Sequence, residues 1–188
     1  MLTGSEIVRS VYGMVRLARL DPIGFEWLDR SVEGFWRSFR VAVLLLPVFA
    51  LHVFYDLSDA EIAASLPRIL AIEGIYYIIA WTAFPVFMHP IAVALGREQR
   101  YVGYIVAINW SQVIQYGVLI PIETLIFLEN GGGIGTFLGV AVFFALVFYL
   151  WFIAKTALDI PGTTAAGIVV LDVLISQVNY LAARSMLG

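Results

Sequence analysis

Asn109, Gln112 and Asp172 are polar side chains set in stretches that are otherwise apolar. On a helix, Asn109, Gln112, Tyr116 and Glu123 fall within about 60° of one another, so they share one face. Asp172 belongs to a second seam with Ala165, Ser176, Asn179 and Ala183. A further group, His52, Glu73 and Glu123, is spread over three such stretches. Three kinds of chemistry are open to these residues. Amides beside a carboxyl could pass a proton, an ion or a small solute. Two carboxyls and a histidine could ligate a metal. The same groups could instead hydrogen-bond one helix to another, worth about 0.6–2 kcal/mol per bond in a membrane. Interhelical bonding is the favoured expectation for Asn109, Gln112 and Asp172. The His-Glu-Glu set lacks motif spacing, so no metal site is assigned. No catalytic motif is present, and neither an enzyme nor a cofactor is expected.

The composition says why these positions matter. Of 188 residues, 61% are hydrophobic and 13% charged. Soluble domains run at about 45–50% and about 25%. A soluble globule of this length could not hide so much apolar surface. The expected class is therefore an all-α membrane helix bundle in contact with lipid, where an ionisable side chain is expensive and its position informative. The chain has no cysteine, which removes disulfides and thiolate chemistry. A net charge of −3 leaves no electrostatic footprint for nucleic acid.

A spanning helix needs about 20 mostly apolar residues. Five stretches qualify: about 38–56, 69–95, 101–124, 134–155 and 163–183. They are continuous, unlike the short alternating segments of a β-barrel. Short turn-rich links make sequential spans antiparallel neighbours in one domain, 38–188. Nine Lys and Arg residues fall on the side of the N-terminal segment and two, Arg68 and Arg184, on the other. The positive-inside rule then predicts a cytoplasmic N-terminus and an outer C-terminus. Residues 1–37 contain no apolar core of a signal peptide. Ile7, Val8, Val11, Tyr12 and Val15 recur at helical spacing with Arg9 and Arg16 interleaved, which predicts an amphipathic interfacial helix that also caps the bundle on its cytoplasmic side.

Depth follows from a rise of 1.5 Å per residue. Asn109 and Gln112 lie about 12–16 Å from the inner end of their helix, and Asp172 lies about 14 Å from the same side. That match predicts contact between the third and fifth spans near the midplane. His52, Glu73 and Glu123 form a second layer near the outer face. Opposite the polar face of the third span, Gly103, Ala107 and Ser111 recur every four residues, a pattern that admits close helix approach and puts this span at the centre. Gly131, Gly135 and Gly139 make a similar stripe on the fourth, for packing within the chain or between copies.

Several features together resemble the YIP1 family. PIGFEWLDRSVEGFWRSF (Pro22 to Phe39) leads into the first of five spans. A short basic loop runs into a Gly-Tyr pair at Arg100 to Tyr104, and Trp151 closes the fourth span. The eukaryotic DLYGP-type signature is absent, and ten Arg to one Lys hint at a GC-rich bacterial genome. The resemblance is therefore to bacterial members. It implies a non-enzymatic protein of the bacterial inner membrane that organises or adapts other components. Its partners would be the lipid bilayer and other membrane proteins, or a second copy of itself. The alternatives are a small transporter or channel using the midplane polar residues, and an accessory subunit of a larger complex.

Overall fold

The computed structural model describes residues 3–58, 64–129 and 133–187. The chain begins with α1 (Gly4–Ala18), a 3-10 segment (Pro22–Trp27) and a short α2 (Val32–Ser38). Five long helices follow: α3 (Arg40–Ser58), α4 (Leu66–Ala94), α5 (Glu98–Leu128), α6 (Ile134–Leu158) and α7 (Gly162–Leu187). No strand occurs among the described residues. Five helices are long and apolar enough to cross a membrane. The architecture is that of a multi-pass membrane bundle, all-α as expected.

The helices overrun the sequence expectation by a few residues at most ends. The largest difference is at the first span. Phe39 keeps helical dihedrals between α2 and α3, so the apolar helical stretch runs from Val32 to Leu57. Ser38, at the expected start, is buried within this stretch, its hydroxyl donating to the Phe35 carbonyl at 2.7 Å.

The N-terminal segment is assembled by local caps. The Thr3 hydroxyl accepts from the Glu6 amide, which starts α1. At its far end Leu20 takes φ 62°, and the Asp21 amide reaches back to the Arg16 carbonyl at 3.0 Å, a left-handed stop. Asp21 then caps the 3-10 segment through the Ile23 amide and accepts from the Arg16 guanidinium at 2.7 Å. Ser31 caps α2 through the Gly34 amide. Met14 and Leu17 are fully buried in the same core as the long helices, and the Tyr149 hydroxyl donates to the Met14 carbonyl. The segment thus closes one end of the bundle, here termed the basal end, and its outer surface still carries apolar residues such as Val8 and Trp36.

Helix α5 is the axis. Eight consecutive residues, Tyr104 to Ser111, are buried all round it. Such a helix has neighbours on every side, and α5 touches α1, α2, α3, α4 and α6. Of its small residues, Gly103 does not face a spanning helix as expected. Gly103 faces the N-terminal segment: a Cβ there would meet the Arg30 stem at 3.1 Å. Ala107 and Ser111 are fully buried. On α6, Gly135 and Gly139 receive Ile126 and Ile122 of α5, so this stripe packs within the chain. Gly131 lies outside the described residues, as do Asp59 and Glu61 of the first interhelical loop.

Candidate functional site

Helix α7 packs on α4 and α6 and makes little direct contact with α5. Between α5 and α7 lies a cavity of about 330 Å³, open at one side of the bundle where Ser176 and Gln177 are exposed. Asn109, Gln112, Gln115, Asp172, Ser176 and Gln177 line it with polar groups. Trp81, Phe84 and Phe143 supply apolar wall, and His52, Tyr116 and Glu123 also face it. The structure therefore brings Asn109, Gln112 and Asp172 to one space.

It does not join them as the matched depth predicted. The Asn109 amide donates to the Ser38 hydroxyl at 2.8 Å, on the side of the first span. Asp172 makes no hydrogen bond to any described residue and faces the cavity. The expected contact fails for a simple reason. Depth fixes the level of a residue but not its azimuth, and the buried Ser38, continuous with α2, offered Asn109 a nearer partner.

The second group divides at the distal end between one pair and a three-membered ion cluster. His52 Nδ1 meets Glu123 Oε1 at 2.9 Å. The Arg184 guanidinium reaches Glu73 Oε1 at 2.7 Å and Asp56 Oδ2 at 3.0 Å. The Tyr180 hydroxyl donates to Asp56 at 3.1 Å, and its ring lies under Arg184 at 5.1 Å. Asn179 donates to the Tyr76 carbonyl at 3.0 Å. Four helices are tied here, α3 with α5 and α3 and α4 with α7. His52 and Glu123 also border a smaller pocket of about 160 Å³ that holds Asp56 and Tyr55. The pair thus stands between the mid-depth cavity and the distal end.

Reading the sequence missed Asp56, Tyr180 and Arg184 as members of this cluster. A signal existed in the spacing: His52 and Asp56 are four apart, as are Tyr180 and Arg184, so each pair shares a helix face. Ser38, Gln115 and Gln177 were missed as well, since a serine at a span boundary and glutamines beside other polar residues carry no distinctive pattern. Among the described residues no three His, Asp or Glu side chains gather as a metal site would require.

The chain matches no protein-family model, no curated protein and no solved structure.

Proposed function

We propose that this is a non-enzymatic multi-pass protein of a bacterial inner membrane, N-terminus inside, whose bundle binds a small polar ligand at mid-depth. One observation carries the reading: Asp172 opens onto the cavity with no hydrogen-bond partner among the described residues. Had the polar residues served only to join helices, Asp172 would be expected to engage Asn109 or Gln112. A lone carboxyl inside a membrane bundle costs free energy unless something compensates it. A bound ligand or water would supply that compensation.

The natural absence of cysteine makes the test clean. Single cysteines at Ser176 and Gln112 should react with a small thiol reagent in membranes, and one at the fully buried Ala154 should not. Cysteines at Ser176 and Gln112 as inert as that control would remove the cavity from consideration.

A second reading is the YIP1-like organiser. It is favoured by the outer surface of the N-terminal segment, where Val8, Val32 and Trp36 are each about two-thirds exposed. Apolar and aromatic groups flanked by Arg suit the membrane interface or a partner's flank. Proximity crosslinking from position 36 in native membranes tests it. Reproducible capture of one membrane protein at fixed stoichiometry supports the organiser, and crosslinks scattered over many abundant proteins count against it.

A further inference from the structure

The lining of the cavity allows its ligand to be narrowed, on the premise that the cavity binds one. Its mid-depth carboxyl, Asp172, forms no ion pair with any described residue. The other carboxyl in the wall, Glu123, is engaged by His52. The Arg184 guanidinium is held at the distal end by Asp56 and Glu73. Among the described residues no Lys or Arg side chain lines the cavity. Charge therefore disfavours an anion. The adjoining pocket carries Asp56 and Glu123, so acidic groups continue toward the distal end.

The apolar wall adds a second constraint. Tyr76, Trp81, Phe84, Tyr116 and Phe143 border the same space. Aromatic faces attract a cation through the ring quadrupole. They do so without requiring a hydrogen-bond donor on the ligand. A hard metal ion would instead want several oxygen ligands at short range, and the carboxyls are not grouped for that. A proton alone would need a carboxyl but not about 330 Å³ of space. That volume is at the lower end of pockets for small organic ligands.

We infer that the cavity between α5 and α7 binds a small monovalent organic ammonium ion, with Asp172 as its counter-charge and the Trp81–Phe84 wall against its apolar part. The amides of Gln112 and Gln115 orient the ligand through their carbonyl oxygens.

Full-length protein carrying Ser176→Cys, in proteoliposomes, provides the test. Benzyltrimethylammonium is the probe, with benzenesulfonate and benzyl alcohol as anionic and neutral counterparts of similar shape. The ammonium should slow alkylation of the cysteine in a saturable manner and raise the melting temperature, as any ligand selective for the folded state does. Benzenesulfonate and benzyl alcohol should do neither. Adding Asp172→Asn should leave the cysteine reactive but abolish protection, and Asp172→Glu should keep it. Equal protection by the alcohol or the sulfonate would overturn the cation assignment and leave the cavity standing. Protection that survives Asp172→Asn would overturn it too. A Ser176→Cys thiol that never reacts would bring down the cavity reading together with this one.

Discussion

Arg184 and Glu73, 111 positions apart, meet at 2.7 Å where the end of α7 crosses the start of α4. Glu73 is 5% exposed and Arg184 21%, so the pair is largely withdrawn from solvent. The geometry is imperfect. Among the described residues Glu73 Oε2 and the Nε and Nη1 atoms of Arg184 find no hydrogen-bond partner. A buried pair of that kind adds little net stability while intact, yet breaking it leaves an uncompensated charge.

Removing one member should therefore cost more than removing both. Arg184→Met leaves two carboxylates, Glu73 and Asp56, without their cation. It should lower unfolding stability in detergent by about 2–4 kcal/mol, below the full buried-pair figure because Arg184 is part exposed. Arg184→Met with Glu73→Leu should recover at least half of the loss. Thermal unfolding of the three proteins decides it, and a double variant no better than the single would contradict the argument.

The orientation prediction rests on charge. A cysteine at Ser65, between α3 and α4, should label with an impermeant maleimide from outside intact cells. One at Gln99, between α4 and α5, should label only after the membrane is opened. The reverse pattern would invert the bundle and every inside–outside statement made of it.

The two glycines of α6 should behave oppositely to alanine. A Cβ at Gly135 would sit 3.0 Å from the Ile126 backbone nitrogen and 2.9 Å from Glu129 Oε2. The Glu129 carboxylate also accepts from the Gly135 amide at 2.8 Å. Gly135→Ala must move backbone and should cost about 1–3 kcal/mol. At Gly139 the nearest atom is Ile126 Cδ1 at 3.5 Å, an ordinary contact. Gly139→Ala should be neutral or gain up to about 1 kcal/mol from helix propensity. Equal melting shifts in the two variants would refute the distinction.

These examples show what could be read from sequence and what could not. The spans were legible because lipid imposes length and hydropathy on each helix separately. Residues 137–154 carry no charge at all, and α6 covers them. The centrality of α5 was legible from polar and small residues on opposite faces. Pairings were not. Asn109 and Asp172 share a level, yet which neighbour each meets depends on how α3, α4 and α7 are arranged around α5. No local pattern encodes that arrangement. The expected small-residue seam at Gly103 serves the Arg30 stem for the same reason. The N-terminal segment was legible as an amphipathic helix at the base of the bundle, but which of its side chains meet the bundle, as Met14 and Leu17 do, was not, because such a helix looks alike facing lipid or protein.

The N-terminal cap carries a pH dependence outside the membrane. The Arg16 guanidinium, then the Ile23 amide, hold the Asp21 carboxyl below the ordinary aspartate value of 3.8. Hydrogen bonds from Ser31 do the same for Asp29, with Arg37 nearby adding to the effect. A carboxylate depressed in the folded state contributes its stability above the unfolded pKa and loses it as pH falls through the folded one. The cap should thus be intact above about pH 4 and loosen below it. Pepsin, active in acid, reports this by cleavage near Phe25. Wild-type protein should resist at about pH 4 and be cut at about pH 2, whereas Asp21→Asn with Asp29→Asn should be cut at both. Identical profiles for the two proteins would show that these carboxylates do not hold the cap.

The sharpest contrast concerns Ser38 and Asp172. If Asp172 joined helices, replacing it with leucine would orphan a buried amide and destabilise the fold. The Asn109 amide, however, is satisfied by Ser38, and Asn109 is only 3% exposed. Ser38→Ala therefore leaves that amide without its acceptor and should cost about 1–3 kcal/mol. Asp172→Leu orphans nothing and removes a carboxyl that no described residue compensates, so it should leave stability unchanged or raise it by about 1 kcal/mol. Its effect should fall on ligand binding instead. Paired melting curves of Ser38→Ala and Asp172→Leu separate the two accounts. A large loss in Asp172→Leu with none in Ser38→Ala would restore Asp172 as a helix-joining residue and leave the cavity without its charge as evidence.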